Sequence, residues 1–160
     1  MNLVTFLHER GIRCEVIPHP TAFDAQHLAH ELHVTGYRVA KAVLLRADHG
    51  FRYVVAVVPA VSRIDLAAVS KVLGGSHVEL ATEIEIAERC PDCEMGVLPP
   101  LGSIYGLMTL VDESLSEETY IYFDANTHSE AIRMKFEDFR RIEQPVITTI
   151  VSSAPGMMVS

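Results

Sequence analysis

At 160 residues the chain is about the size of one ordinary domain, and its 49% hydrophobic residues are enough to build a core. A formal charge of -8 gives a field that repels nucleic acid, so an RNA contact must use a local basic patch, a short contact or a partner protein. No run of about 18 or more apolar residues occurs and the N-terminus lacks a signal-peptide pattern, which predicts a cytoplasmic protein with no membrane partner; the odd count of three cysteines predicts thiols rather than bridges.

In chain order, Asn2 to Arg10 reads as a helix with Leu3, Phe6 and Leu7 on one side and Gly11 as its stop. Residues 12–17 alternate as a strand ending at Pro18. Thr21 to His33 has Ala25, Leu28, Ala29 and Leu32 at helical spacing, with Thr21 or Asp24 as cap. Arg38 to Ala47 and Phe51 to Val58, around Asp48-His49-Gly50, form a hairpin signal that Pro59 ends.

Asp65 to Leu73, closed by Gly74-Gly75, is a helix, and Thr82-Glu83-Ile84-Glu85 is a capping box for a short helix to Arg89. A loop rich in Pro and Gly runs from Cys90 to Gly102. Leu107 to Val111, Thr119 to Phe123 and Ala131 to Met134 are strand candidates, and Phe136 to Ile142 is a last helix before Pro145. The early hairpin among interleaved helices predicts an α+β fold, one compact domain over 1–145, with 146–160 a partly disordered tail.

Lys41 is the one charge in the apolar stretch Val39 to Leu45 of the strand-like run Arg38 to Leu45, so it marks either a strand rim or a site. An ammonium there suits a carbonyl or phosphate ligand. Gly96-Val97-Leu98-Pro99-Pro100-Leu101-Gly102 combines glycines with a rigid backbone that can aim N–H groups at a carbonyl oxygen; the alternative is an ordinary surface loop. Cys90-Pro91-Asp92-Cys93 has redox or half-zinc spacing, but it follows a helix C-terminus and lacks a second ligand pair. His27, His30 and His33 drift around their helix and read as a solvated face, and His128 lies in the turn-forming segment Asp124-Ala125-Asn126-Thr127-His128. No phosphate-binding loop, nucleophile elbow or dinucleotide fingerprint occurs.

The ordered set His19-Pro20-Thr21-Ala22, Ala40 to Leu45, Val57-Val58-Pro59-Ala60, Ile64-Asp65-Leu66, Gly96 to Gly102, Asp112, Ile132-Arg133-Met134 and Asp138-Phe139 resembles the YbaK family. These are aminoacyl-tRNA deacylase domains related to the editing insertion of prolyl-tRNA synthetase. The resemblance implies a small mixed β-barrel-like sheet surrounded by helices, and hydrolysis of the ester joining a small amino acid of the Ala, Cys or Ser class to the wrong tRNA. It implies Lys41 as the central catalytic group. It implies Thr21, Gly96, Val97, Leu98, Pro99, Gly102, Asp124 and His128 as the substrate-binding residues. Neither metal nor cofactor is implied. The partners would be the 3′ end of aminoacyl-tRNA and a synthetase that delivers it, with Arg133, Lys135, Arg140 and Arg141 as a local basic surface or a merely solvated face. The rivals are a non-catalytic module binding aminoacyl-RNA or a synthetase, and a thiol-redox protein built on Cys90 and Cys93.

Overall fold

A computed structural model describes residues 2–91, 93, 94, 97–125 and 127–152. The first helix, α1 (Leu3–Glu9), starts where the Asn2 side chain accepts from the Thr5 amide, buries Leu3, Phe6 and Leu7, and is followed by Gly11 at φ +72°. After β1 (Cys14–Pro18), Asp24 rather than Thr21 caps α2 (Ala25–Leu32), its carboxylate accepting from the His27 amide at 2.8 Å. Leu28 and Ala29 face the core, while His27, His30 and His33 are exposed.

The hairpin forms as the turn chemistry predicts, from β2 (Ala40–Ala47) and β3 (Arg52–Pro59) around Gly50 at φ +86°. Asp65 caps α3 (Leu66–Val72), and β4 (Val78–Leu80) leads to α4 (Glu83–Arg89), whose Thr82–Glu85 capping box is complete. The remaining elements are β5 (Met108–Asp112), β6 (Tyr120–Asp124), β7 (Glu130–Lys135), α5 (Phe136–Glu143) and β8 (Val146–Thr148).

Two sheets result, one of three strands in the order β1-β7-β6 and one of five in the order β4-β2-β3-β5-β8. β3 is central in the larger one and apolar on both faces. Val55 and Val57 enter the core shared with α1, α5 and the smaller sheet; Val54, Ala56 and Val58 enter a second core with Val69, Leu73 and Ile150. Complete burial of a valine or leucine stabilises the fold by about 1.5–3 kcal/mol, so this strand anchors both layers.

The α+β expectation holds, but the sheets do not close into the barrel that the family resemblance implied. Among the described residues one bridge joins them, between Val39 and Tyr122. Two short strands lacked a sequence signal. β4 contributes three residues to the sheet edge, and β8 lies beyond position 145, pairing in parallel with β5 before Ile150 enters the core and Val151 bridges Ile64. Residues 153–160 of the expected tail lie outside the described residues.

Candidate active site

The opening between the two sheets is the candidate site. β2 pairs with β3 along its whole length but with β4 only from Leu45 to Ala47; ahead of that, Ala81 donates its amide to the Leu44 carbonyl at 3.0 Å. From Ala40 to Val43 the outer edge of β2 has no strand partner among the described residues. A cavity of about 370 Å³ fills the space, lined by this edge, by Leu80, Ala81 and Ile86 on one side and by Phe123 and Asp124 of β6 on the other. Val97 and Leu98 cover it, and Phe23, with 74% of its surface exposed, stands at the mouth beside the α2 N-terminus.

Lys41 lies half-buried on this wall and donates from Nζ to the Ser62 carbonyl at 3.0 Å. Burial lowers its pKa from the ordinary lysine range, the charge of Arg63 lowers it further, and Asp24 opposes them. The result is a cation with part of its hydration already removed, more responsive to a carbonyl oxygen than a freely solvated ammonium.

Asp124 closes the opposite side. Its Oδ1 lies 3.5 Å from Nε2 of His19, and neither atom has a hydrogen-bond partner among the described residues. Burial pushes the Asp124 carboxyl up to about 6, against the pull of His19 and His128. The His19 Nδ1 is 2.7 Å from the Pro20 carbonyl, which can only accept, so Nδ1 carries a hydrogen. A neutral His19 would then turn a lone pair toward the carboxylate. At 3.5 Å the two side chains form one electrostatic unit without a hydrogen bond between them.

His128 is buried behind this unit, with Nδ1 donating to the Ala22 carbonyl at 3.0 Å, its amide donating to Glu94 Oε1 at 2.8 Å, and its ring 4.9 Å from that of Phe23. It supports the wall and the mouth without lining the cavity. Of the residues expected from sequence, Lys41, Val97, Leu98 and Asp124 come together around the cavity. Thr21 is exposed on the loop before α2, Pro99 is buried outside the lining, and Gly96 lies outside the described residues. Gly102 belongs to a different network: its amide donates to Thr109 Oγ1 at 2.9 Å, and Thr109 donates to Glu143 Oε2 at 2.5 Å.

Phe23, Leu28, Leu80, Ile86 and Phe123 were not anticipated, because apolar residues at strand or helix spacing carry no sign of whether they face a core or a cavity, and Asp24 was read only as a helix cap. His19 gave a signal through its place in the His-Pro-Thr-Ala segment, but its partner was invisible.

Cys90 and Cys93 form a disulfide with Cα atoms 5.7 Å apart, which corrects the expectation of thiols: the C-cap turn after α4 brings the two side chains together. Among the described residues no group of three His, Cys, Asp or Glu side chains could hold a metal ion. The expected basic surface is largely neutralised, since Arg133 pairs with Glu15, Arg140 with Glu137 and Arg141 with Asp138.

Comparison with known proteins gives the family of the chain. The model of the aminoacyl-tRNA editing domain matches residues 19–142. The chain belongs to that family. The matched residues take in the whole cavity lining and every strand except β1 and β8. No curated protein sequence matches the chain. Among solved structures, a candidate trans-editing enzyme for prolyl tRNA synthetase is 19% identical with a TM-score of 0.83, over 94% of this chain and 95% of that one. The hypothetical protein APE2540 is 16% identical with a TM-score of 0.84, over 94% and 99%. A protein from a study of epitope grafting onto scaffolds is 17% identical with a TM-score of 0.81, over 92% and 93%. At such identities these likenesses establish the editing fold alone. Among the described residues, no helix of this editing domain is long and apolar enough to cross a membrane.

Proposed function

We propose that this editing domain hydrolyses the ester of a mischarged aminoacyl-tRNA carrying a small amino acid of the alanine, cysteine or serine class, acting in trans. The observation that carries the reading is the half-buried ammonium of Lys41 on the wall of a cavity of about 370 Å³ in a chain of this family. An aminoacyl ester is already activated, so positioning and polarisation of its carbonyl provide much of the rate. Lys41 sits where it can exchange the Ser62 carbonyl for the substrate carbonyl or terminal ribose. Water, assisted by a ribose hydroxyl, attacks.

The rest of the site fits a short acyl group with a nucleotide behind it. Phe123, Val97 and Leu28 give the cavity apolar walls that limit side-chain length, although one methylene discriminates by only about 1–3 kcal/mol. The exposed ring of Phe23 at the mouth offers a stacking face for the terminal base, an interaction of about 1–3 kcal/mol. With a net charge of -8 and with Arg133, Arg140 and Arg141 each paired to a carboxylate, the domain grips the acylated end rather than the body of the tRNA, and a synthetase supplies the remaining affinity.

The test is release of amino acid from alanyl-, cysteinyl- and seryl-tRNAs by wild type and by Lys41→Ala, with circular dichroism to check folding. Release that falls by about 10²–10³ in the variant supports the reading, by analogy with removal of an electrostatic group from an active site. Absence of release from every substrate by folded wild type would move the function to a binding module.

A further inference from the structure

The cavity carries two carboxylates as well as a cation, and they are not equivalent. Asp24 is fully engaged: one oxygen caps α2 through the His27 amide at 2.8 Å and the other meets His27 Nδ1 at 2.7 Å. Asp124 is different. Its Oδ1 faces His19 at 3.5 Å without a hydrogen bond, its Oδ2 makes no hydrogen bond to any described residue, and 16% of the side chain remains open. A carboxylate so placed at the inner wall has capacity to accept and too little water to satisfy it.

The aminoacyl end of a charged tRNA is bipolar at short range, with a carbonyl oxygen that gains negative charge during attack and a cationic ammonium on the adjacent carbon. The cavity is bipolar in the matching sense, with Lys41 on β2 of the larger sheet and Asp124 at the end of β6 of the smaller sheet both lining it. We infer that the Asp124 carboxylate receives the α-ammonium group of the aminoacyl ester, so that the site selects 2-aminoacyl over other acyl groups and sets which face of the ester Lys41 meets.

This rests on the deacylase reading and deepens it. His19 fits the role of a positioning residue: held by the Pro20 carbonyl at Nδ1, it directs Nε2 at Oδ1 and leaves Oδ2 for the ligand. An incoming ammonium also supplies the counter-charge that burial otherwise withholds from this carboxylate. His128 and Glu94 hold the turn after β6 in place through the Ala22 carbonyl and the His128 amide, which fixes where Asp124 points.

The experiment compares alanyl-, cysteinyl- and seryl-tRNA with their 2-hydroxyacyl isosteres, which carry a hydroxyl in place of the ammonium, each rate divided by its spontaneous rate. Wild type, Asp124→Asn and Asp124→Glu are measured. Wild type is expected to favour the aminoacyl ester by at least about tenfold, Asp124→Asn to lose most of that preference mainly through a higher KM, and Asp124→Glu to keep part of it. Cleavage of both ester types alike by wild type, or an unchanged preference in folded Asp124→Asn, overturns the inference while the deacylase reading stands. Cleavage of neither ester by folded wild type overturns the deacylase reading, and the inference falls with it. If Asp124→Asn fails to fold, the wild-type preference and the Asp124→Glu preference decide.

Discussion

His19 Nε2 and Asp124 Oδ1 face each other at 3.5 Å across the smaller sheet, one residue past β1 and at the last residue of β6, with β7 between the two strands. The contact exists because the turn from β6 to β7 is clasped on both sides: His19 donates its amide to the Ser129 carbonyl at 2.9 Å, and Ala125 donates to the Glu130 carbonyl at 2.8 Å. Neither residue could take this position from its own strand alone.

A pH dependence follows. Burial raises the Asp124 carboxyl from 3.8 to about 6, so the folded protein holds that proton more tightly than the unfolded chain. Its stabilising contribution is full below the unfolded value and is lost as pH rises through about 6. Asp124→Asn removes this titration. Wild type should therefore gain stability relative to the variant as pH falls from 7 to 4, as read by urea unfolding at each pH; parallel profiles would show that the carboxyl is not perturbed. His19, His128 and Glu94 are the other titratable groups that face this carboxyl, so His19→Gln should shift the profile and Glu130→Gln, on the exposed strand end, should not.

The role proposed for Lys41 predicts an alkaline limb in the rate. Its pKa is lowered mainly by burial and secondarily by Arg63, so hydrolysis corrected for the spontaneous reaction should decline with rising pH below the ordinary lysine range. Arg63→Gln removes the nearby like charge and should move that decline upward. A kcat/KM profile whose alkaline limb stays in place after Arg63→Gln would separate the limb from Lys41.

The elements were legible where a local signal dominates: the Thr82–Glu85 capping box, the Gly50 turn and the apolar face of α2 all appear where spacing puts them. β4 and β8 were not, because three residues such as Val78-Glu79-Leu80 become a strand only by lying against Leu45 to Ala47. The site shows the same division. Lys41 stood out as a charge in an apolar strand, whereas the failure of β2 to find a partner at Ala40 to Val43, which makes the cavity, is a property of tertiary pairing. Gly102 illustrates the converse: its sequence context suggested a ligand-facing backbone, and its neighbours turn out to be Thr109 and Leu107.

The cysteines give a direct chemical prediction. With Cys90 and Cys93 bonded, the native chain should present one thiol per molecule to an aromatic disulfide reagent, and all three after reduction and unfolding. Cys14 should react slowly, since partial burial raises its pKa and leaves less thiolate. Three thiols in the native protein before any reductant would show that the pair is open. The pair matters for the site because the next residue, Glu94, holds the His128 amide, and Val97 covers the cavity.

Gly102 is predicted to be intolerant of any side chain for reasons of packing. A Cβ built there would sit 2.6 Å from Thr109 Oγ1 and 2.8 Å from the Leu107 carbonyl oxygen, and neither can retreat. Thr109 is held by Gly102 itself and by Glu143, whose carboxylate also accepts from the Ser103 amide at 3.0 Å and hydroxyl at 2.6 Å; Leu107 donates its own amide back to the Gly102 carbonyl at 2.9 Å. Gly102→Ala should thus cost at least the roughly 1–3 kcal/mol typical of overpacking, with further loss if the buried Thr109 hydroxyl is left unpaired. Gly36→Ala is the control. Its Cβ would meet Val61 Cγ1 at 2.4 Å, but Val61 is exposed and can rotate away, so the loss should be smaller. Urea unfolding of the two variants decides between these accounts: a Gly36→Ala loss equal to or larger than that of Gly102→Ala would show that the Thr109–Glu143 network yields more readily than its hydrogen bonds imply.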